Sequence, residues 1–65
     1  MIIKTWHARD QQNITLTQLS KMTGIGKSTL NNIENGKTSP TLNQLESIAK
    51  ALNVRISDLY ESEYK

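Results

Sequence analysis

Between positions 27 and 32 the sequence reads Lys27-Ser28-Thr29-Leu30-Asn31-Asn32, setting an ammonium, two hydroxyls and two carboxamides around one aliphatic side chain. Groups of this kind suit reversible hydrogen bonding rather than bond making. An ammonium can donate to guanine O6 and N7, a carboxamide can pair bidentately with adenine, a hydroxyl can meet either, and a threonine methyl can touch that of thymine. The same groups also describe an ordinary solvated surface, and taken alone they leave both readings open.

Catalytic chemistry finds less to work with. Cysteine is absent and His7 is the sole histidine, which excludes disulfides, thiolate nucleophiles, cysteine-ligated zinc and clusters of imidazole ligands. No nucleophile, base and oxyanion set can be assembled, and His7 has no visible partner. The expectation is a protein that is not an enzyme and uses no metal or cofactor.

A length of 65 residues is about half that of a usual domain, so one domain spanning residues 1–65 is expected. A chain this short buries only about 60% of its unfolded surface, enough for one small core. No apolar run approaches the roughly 18 residues of a membrane span, and Met1-Ile2-Ile3 is too short for a signal peptide. No membrane partner and a cytoplasmic location are therefore expected. Of the net charge of +2, residues 1–40 carry +3 (five cations, two carboxylates) and residues 41–65 carry −1 (three cations, four carboxylates). A basic first part suits a polyanion that meets one side of the molecule, although a surface with this modest charge is also unremarkable in a soluble protein.

The elements that must position residues 27–32 follow from caps and periodicity. Thr15-Leu16-Thr17-Gln18 has capping-box spacing, and Leu16, Leu19 and Met22 give one apolar face, so a helix is predicted over Leu16–Thr23 with Gly24 as its left-handed end. A second short helix should run from Lys27 to about Asn35, turning Leu30 and Ile33 inward and stopping at Asn35-Gly36. Thr41-Leu42-Asn43-Gln44 repeats the capping box and opens a helix over 42–52 with Leu42, Leu45, Ile48, Ala49 and Leu52 on one face. Asn53 should cap it. A shorter helix near 56–62 should point Leu59 inward, and a first helix near 3–12 is favoured, with Ile3 and Trp6 marking its face. Ile2, Ile3 and Thr5 equally suit a short strand, so Met1–Lys4 stays open.

The run from Gly24 to Lys37, with Pro40-Thr41-Leu42, Leu45, Ile48 to Leu52 and Asp58-Leu59, closely resembles the core of the Cro/C1-type, or XRE-family, helix-turn-helix regulators. The resemblance extends from about Thr5 to Tyr60 and is most specific from Gly24 to Leu52. It implies an all-α, five-helix, lambda-repressor-like DNA-binding domain with the helix-turn-helix in helices 2 and 3, its motif core at residues 16–36. By the same resemblance Lys27, Ser28 and Asn32 hold the positions that most often reach base edges, beside which Thr29 offers a methyl to thymine and Asn31 meets either bases or backbone, while Arg9, Thr15, Thr17, Asn35 and Lys37 hold phosphates. Arg9 and Glu34 match a pair that forms a salt bridge, either orienting Arg9 toward phosphate or serving structure alone. Three positions depart from the pattern: Leu16 replaces a frequent glutamine, Gly26 a serine or threonine cap, and Arg55 a small polar cap.

The implied partner is double-stranded DNA, bound by a homodimer acting as a transcriptional repressor on a palindromic operator. One helix reads few base pairs, whereas two set about 34 Å apart read successive turns. The fifth helix, with Ile56, Tyr60 and Tyr64, is one candidate for the dimer contact, and dimerisation only on DNA is the other. An antitoxin-like or accessory module with a protein partner and secondary DNA binding is the alternative. Trp6 is expected in the core or at a subunit contact.

Overall fold

Helices this short depend on how their ends are finished, because the first four amides and last four carbonyls have no partner within the helix. The computed structural model describes all residues, Met1–Lys65, in the order β1 (Ile2–Ile3), α1 (Thr5–Gln11), α2 (Leu16–Thr23), α3 (Lys27–Glu34), α4 (Leu42–Leu52), a single 3₁₀ turn (Ile56–Leu59) and β2 (Tyr60–Glu61). Both capping boxes form: the Thr15 and Thr41 hydroxyls accept from the amides of Gln18 and Gln44 at 3.1 and 3.0 Å, and each glutamine Oε1 accepts from its threonine's amide.

Three helices end in Schellman motifs. About Gly36 (φ 74°), the Lys37 amide donates to the Asn32 carbonyl at 2.9 Å and the Gly36 amide to that of Ile33 at 3.2 Å. Asn53 (φ 55°) closes α4 through Val54 to Ala49 and Asn53 to Lys50, and Asn13 (φ 57°) closes α1 through Ile14 to Arg9 and Asn13 to Asp10.

The core joins α2, α3, α4 and the 3₁₀ turn. Leu19, Leu30, Leu45, Ile48, Ala49, Leu52 and Leu59 form one buried cluster, flanked by half-buried Ala8, Ile14, Leu16 and Ile25. Gln12 Nε2 donates to the last carbonyl of α4, Leu52, at 2.7 Å and so ties the end of α1 to the far side of the core.

The architecture has four α-helices, not five. Where a helix is expected over 56–62, the Asp58 amide donates to the Arg55 carbonyl at 3.0 Å, and the Asp58 carboxylate accepts from the Arg55 amide, closing one tight turn. Beyond buried Leu59 the backbone extends at Tyr60 (φ −154°, ψ 161°) and pairs antiparallel with β1, Ile3 opposite Tyr60 and Ile2 opposite Glu61. The β-branched pair Ile2-Ile3 supplies the partner strand, and the Lys4 amide extends the contact to the Leu59 carbonyl at 2.7 Å. A helix from residue 3 is thereby replaced by a strand at 2–3 and a helix beginning at Thr5.

Two side chains also lie differently from expectation. Met22 is 51% exposed because each three-residue step on a helix lags the face by about 60°, so two steps from Leu16 turn it outward. Leu42 is 77% exposed at the first position of α4. Of the two places expected for Trp6, the core is excluded: its side chain is exposed, with its ring tilted 30° against that of His7 at a centroid distance of 3.6 Å. The buried residue of α1 is Thr5.

Candidate nucleic-acid interface

Leu30 and Ile33 are buried and fix which side of α3 faces outward. At about 100° per residue, Ser28 lies opposite their midpoint, Asn31 and Asn32 flank it, and Lys27 and Thr29 sit at the margins. Lys27, Ser28, Thr29 and Asn31 are exposed, and Asn32 is half-buried. The structure therefore brings all five onto one polar surface of a single helix. Gly26 precedes α3 without a side-chain cap, leaving the amides of Lys27, Ser28 and Thr29 without a partner in the chain.

The turn between α2 and α3 is held by side chains of α2. Thr23 Oγ1 accepts from the Ile25 amide at 3.1 Å and donates to the Leu19 carbonyl at 2.8 Å, while Ser20 Oγ donates to the Ile25 carbonyl at 2.7 Å. Both backbone groups of Ile25 are thus fixed, and the half-buried Ile25 side chain packs on the core. These two hydroxyls fix the residue before Gly26 and leave the first-turn amides of α3 uncapped. Sequence reading missed both residues; their signal lay in their positions, since Ser20 and Thr23 occupy the last turn of α2 on the flank of the face marked by Leu16.

Arg9 braces α3 from behind. Its Nε donates to Glu34 Oε2 at 2.8 Å, Nη2 to Glu34 Oε1 at 3.1 Å and Nη1 to the Ile14 carbonyl at 2.8 Å, so one guanidinium joins α1, the α1–α2 loop and the end of α3. The hydrogen bond to Glu34 is the main cause that raises the Arg9 guanidinium above its ordinary range, against partial burial and with the charges of Glu34 and Asp10 assisting. Glu34 is the only carboxylate on α3, and Arg9 compensates it; Lys27 and Lys37 form no ion pair. The polar surface of α3 is left with uncompensated positive charge only.

The remaining residues lie at the edges. Asn35 and Lys37 are exposed where the chain leaves α3, and Thr15 and Thr17 are exposed at the start of α2. The Thr15 oxygen serves its cap, while the amides of Leu16 and Thr17 have no partner in the chain. No three His, Asp or Glu side chains converge on a point, and no helix is long and apolar enough to cross a membrane.

This arrangement recurs among known proteins. A family model described as helix-turn-helix matches residues 7–59. The chain is 35% identical over 57 residues to an uncharacterized HTH-type transcriptional regulator of Methanocaldococcus jannaschii, covering 88% of this chain and 86% of the relative. A second relative of the same description, from Archaeoglobus fulgidus, is 35% identical over 52 residues, covering 80% of this chain and 74% of its own length. Among solved structures, the N-terminal DNA-binding domain of SinR from Bacillus subtilis superposes with a TM-score of 0.81 over 94% of this chain and 90% of that one, at 24% identity.

Proposed function

From the premise that the chain belongs to the Cro/C1-type helix-turn-helix family, we propose that it is a sequence-specific DNA-binding regulator that inserts α3 into the major groove. The observation that carries this reading is the one-sided surface of α3, polar and cationic outside, apolar inside, on a turn fixed by Ser20 and Thr23. A groove about 12 Å wide admits such a helix.

In this reading Ser28, Asn31 and Asn32 address base edges from the centre of the helix, with Lys27 and Thr29 reaching adjacent bases from its margins. Lys37, Asn35, Thr17 and the free amides at the start of α2 hold phosphates on either side. Leu16 supplies only its amide there. Arg9 acts through Glu34, since three of its five N–H donors are already engaged within the chain. Binding as a homodimer to a palindromic operator is supported by the short reach of one helix, which covers too few base pairs for useful selectivity; repression is the outcome we assign to such binding.

Selection of bound duplexes from a random library, followed by titration at several salt concentrations, tests the reading. A palindromic consensus bound with steeply salt-dependent affinity is the expected result. Equal and weak affinity for every duplex would overturn it.

A further inference from the structure

We propose that the groove along the free edge of β1 is a docking site for an extended segment of a partner protein, which joins the sheet as a third strand and draws Lys37 away from DNA. The docking site is independent of the DNA reading; its effect on DNA rests on the reading of Lys37 as a phosphate contact.

The ladder shows which backbone groups of β1 are left over. Ile3 lies opposite Tyr60, so Lys4 lies opposite Leu59, and the Lys4 amide donates to the Leu59 carbonyl at 2.7 Å. Antiparallel bonding alternates along a strand, so Ile2 and Lys4 turn their backbone groups toward β2, and Ile3 turns its amide and carbonyl to the opposite edge. The sheet has two strands, so nothing in the ladder meets that edge. A donor and an acceptor on one residue are what an incoming antiparallel strand pairs with.

That edge borders a groove of about 440 Å³, within the range of clefts that hold ligands. Met1, Ile2 and Ile3 line one side, and the end of α3 with the loop that leaves it, from Ile33 to Ser39, lines the other; no residue of β2 does. Buried Ile33 and half-buried Ile3 supply apolar surface. In the opposite wall the Ser39 amide and the carbonyls of Gly36, Thr38 and Ser39 have no backbone partner. Unpaired backbone groups on both walls suit an extended main chain, whose own donors and acceptors are free, and not a helix, whose groups are already bonded to one another.

Charge specifies the occupant further. Glu34 is the one charged residue lining the groove, and Arg9 holds both of its oxygens. Lys37, between the lining residues Gly36 and Thr38, is exposed and forms no ion pair. The groove is thus bordered by one free cation. The matching segment alternates apolar side chains, turned onto Ile3 and Ile33, with carboxylates turned outward to Lys37. A carboxylate there competes with DNA phosphate for the same ammonium, so the partner and DNA oppose each other's binding.

Titration of the full chain with a blocked octapeptide of alternating valine and glutamate, followed by amide NMR, tests the proposal. Saturable binding is expected, with the largest shifts at Ile3 and from Asn35 to Ser39, and with hydrogen exchange of the Ile3 amide slowed about tenfold or more. A shuffled peptide of the same composition, and one with lysine for glutamate, should each bind about tenfold more weakly. Of two peptides N-methylated at every valine or at every glutamate, the one whose blocked edge meets Ile3 should lose as much. Ile3→Pro removes the outward amide and keeps the bonds from Ile2 and Lys4 to β2, so it should weaken binding too. Lys37→Glu, at an exposed position that leaves the fold intact, should reverse the preference between the glutamate and lysine peptides.

No shift at Ile3 up to about 2 mM peptide would overturn the proposal. So would binding indifferent to both N-methylations, or to both substitutions. Protection of the Ile3 amide that grows with protein concentration alone would also overturn it, by giving the edge to a second copy. On the duplex that the chain selects, saturating glutamate peptide should raise the dissociation constant about tenfold; an unchanged constant would overturn the coupling to DNA. A chain that takes the peptide but selects no duplex would overturn the DNA reading and leave the docking site standing. A chain that selects a duplex but ignores the peptide would do the reverse.

Discussion

Arg9 and Glu34 meet in a two-pronged contact, 2.8 Å at one carboxylate oxygen and 3.1 Å at the other, that fastens the end of α3 to α1 across 25 positions of sequence. The side chains are 19% and 10% exposed, which places the pair between an open surface bridge and a buried one.

Replacing Glu34 with glutamine should cost about 1–2 kcal/mol, because it leaves a half-buried guanidinium short of its charged partner. Thermal unfolding should show this as a fall of roughly 5–15 °C for a chain of this size. Arg9→Lys should not rescue the contact, since an ammonium cannot bridge two carboxylate oxygens and the Ile14 carbonyl in one plane. The sign of its pH dependence follows from the raised Arg9 pKa: the contribution is complete below the ordinary arginine value and is lost only as pH rises through the still higher folded value. Urea titrations between pH 6 and 10 should reveal no stability slope from Arg9.

Gly26 has φ −58° and ψ 144°, a conformation open to any residue, and a Cβ there would meet only Thr29 Oγ1 at 3.9 Å. Gly26→Ser should therefore add an acceptor for the first-turn amides of α3 and reduce the conformational entropy that the unfolded chain loses on folding. A gain of about 0.5–1 kcal/mol is expected. An unchanged or lower melting temperature would contradict the view that the first turn of α3 lacks a cap.

On DNA, the base-facing and phosphate-facing roles should separate. Alanine at Asn32 or Lys27 should lose about 1–3 kcal/mol on the preferred site and relax the choice of base. Alanine at Lys37 should weaken every duplex alike and lower the salt slope by about one. Competition titrations with single-base variants of the selected site would measure both. The same loss of preference in all three proteins would refute the division.

Thr5 is 1% exposed, and its Oγ1 is buried with no hydrogen-bond partner. Valine keeps the branched shape and removes the unsatisfied hydroxyl, so Thr5→Val should stabilise the fold by about 1 kcal/mol or more. Chemical denaturation of the two proteins decides it; destabilisation would show that the hydroxyl finds a partner in solution.

Sequence legibility followed the range of the interaction. Both capping boxes, Gly24, Asn53 and the bounds of α2, α3 and α4 depend on contacts within about four residues, and they stand where those residues place them. The 3₁₀ turn and β2 did not, because Tyr60 extends only when Ile3, distant in sequence, lies beside it. Asn13 was legible in principle as a left-handed helix end like Asn53, but no periodic run before it announced one. Of the candidate surface, Lys27 to Asn32 could be read from helical phase. The clamp on Ile25 could not, since Ser20 and Thr23 look in sequence like polar residues on an amphipathic helix.

That clamp carries a further consequence. Because α2's own hydroxyls grip both backbone groups of Ile25, the angle at which α3 leaves is dictated by its predecessor, much as a hinge pin dictates the swing of a door. Drift in the turn itself should be tolerated more readily than drift at Ser20 or Thr23, and new specificities can accumulate on α3 over evolutionary time without re-aiming it.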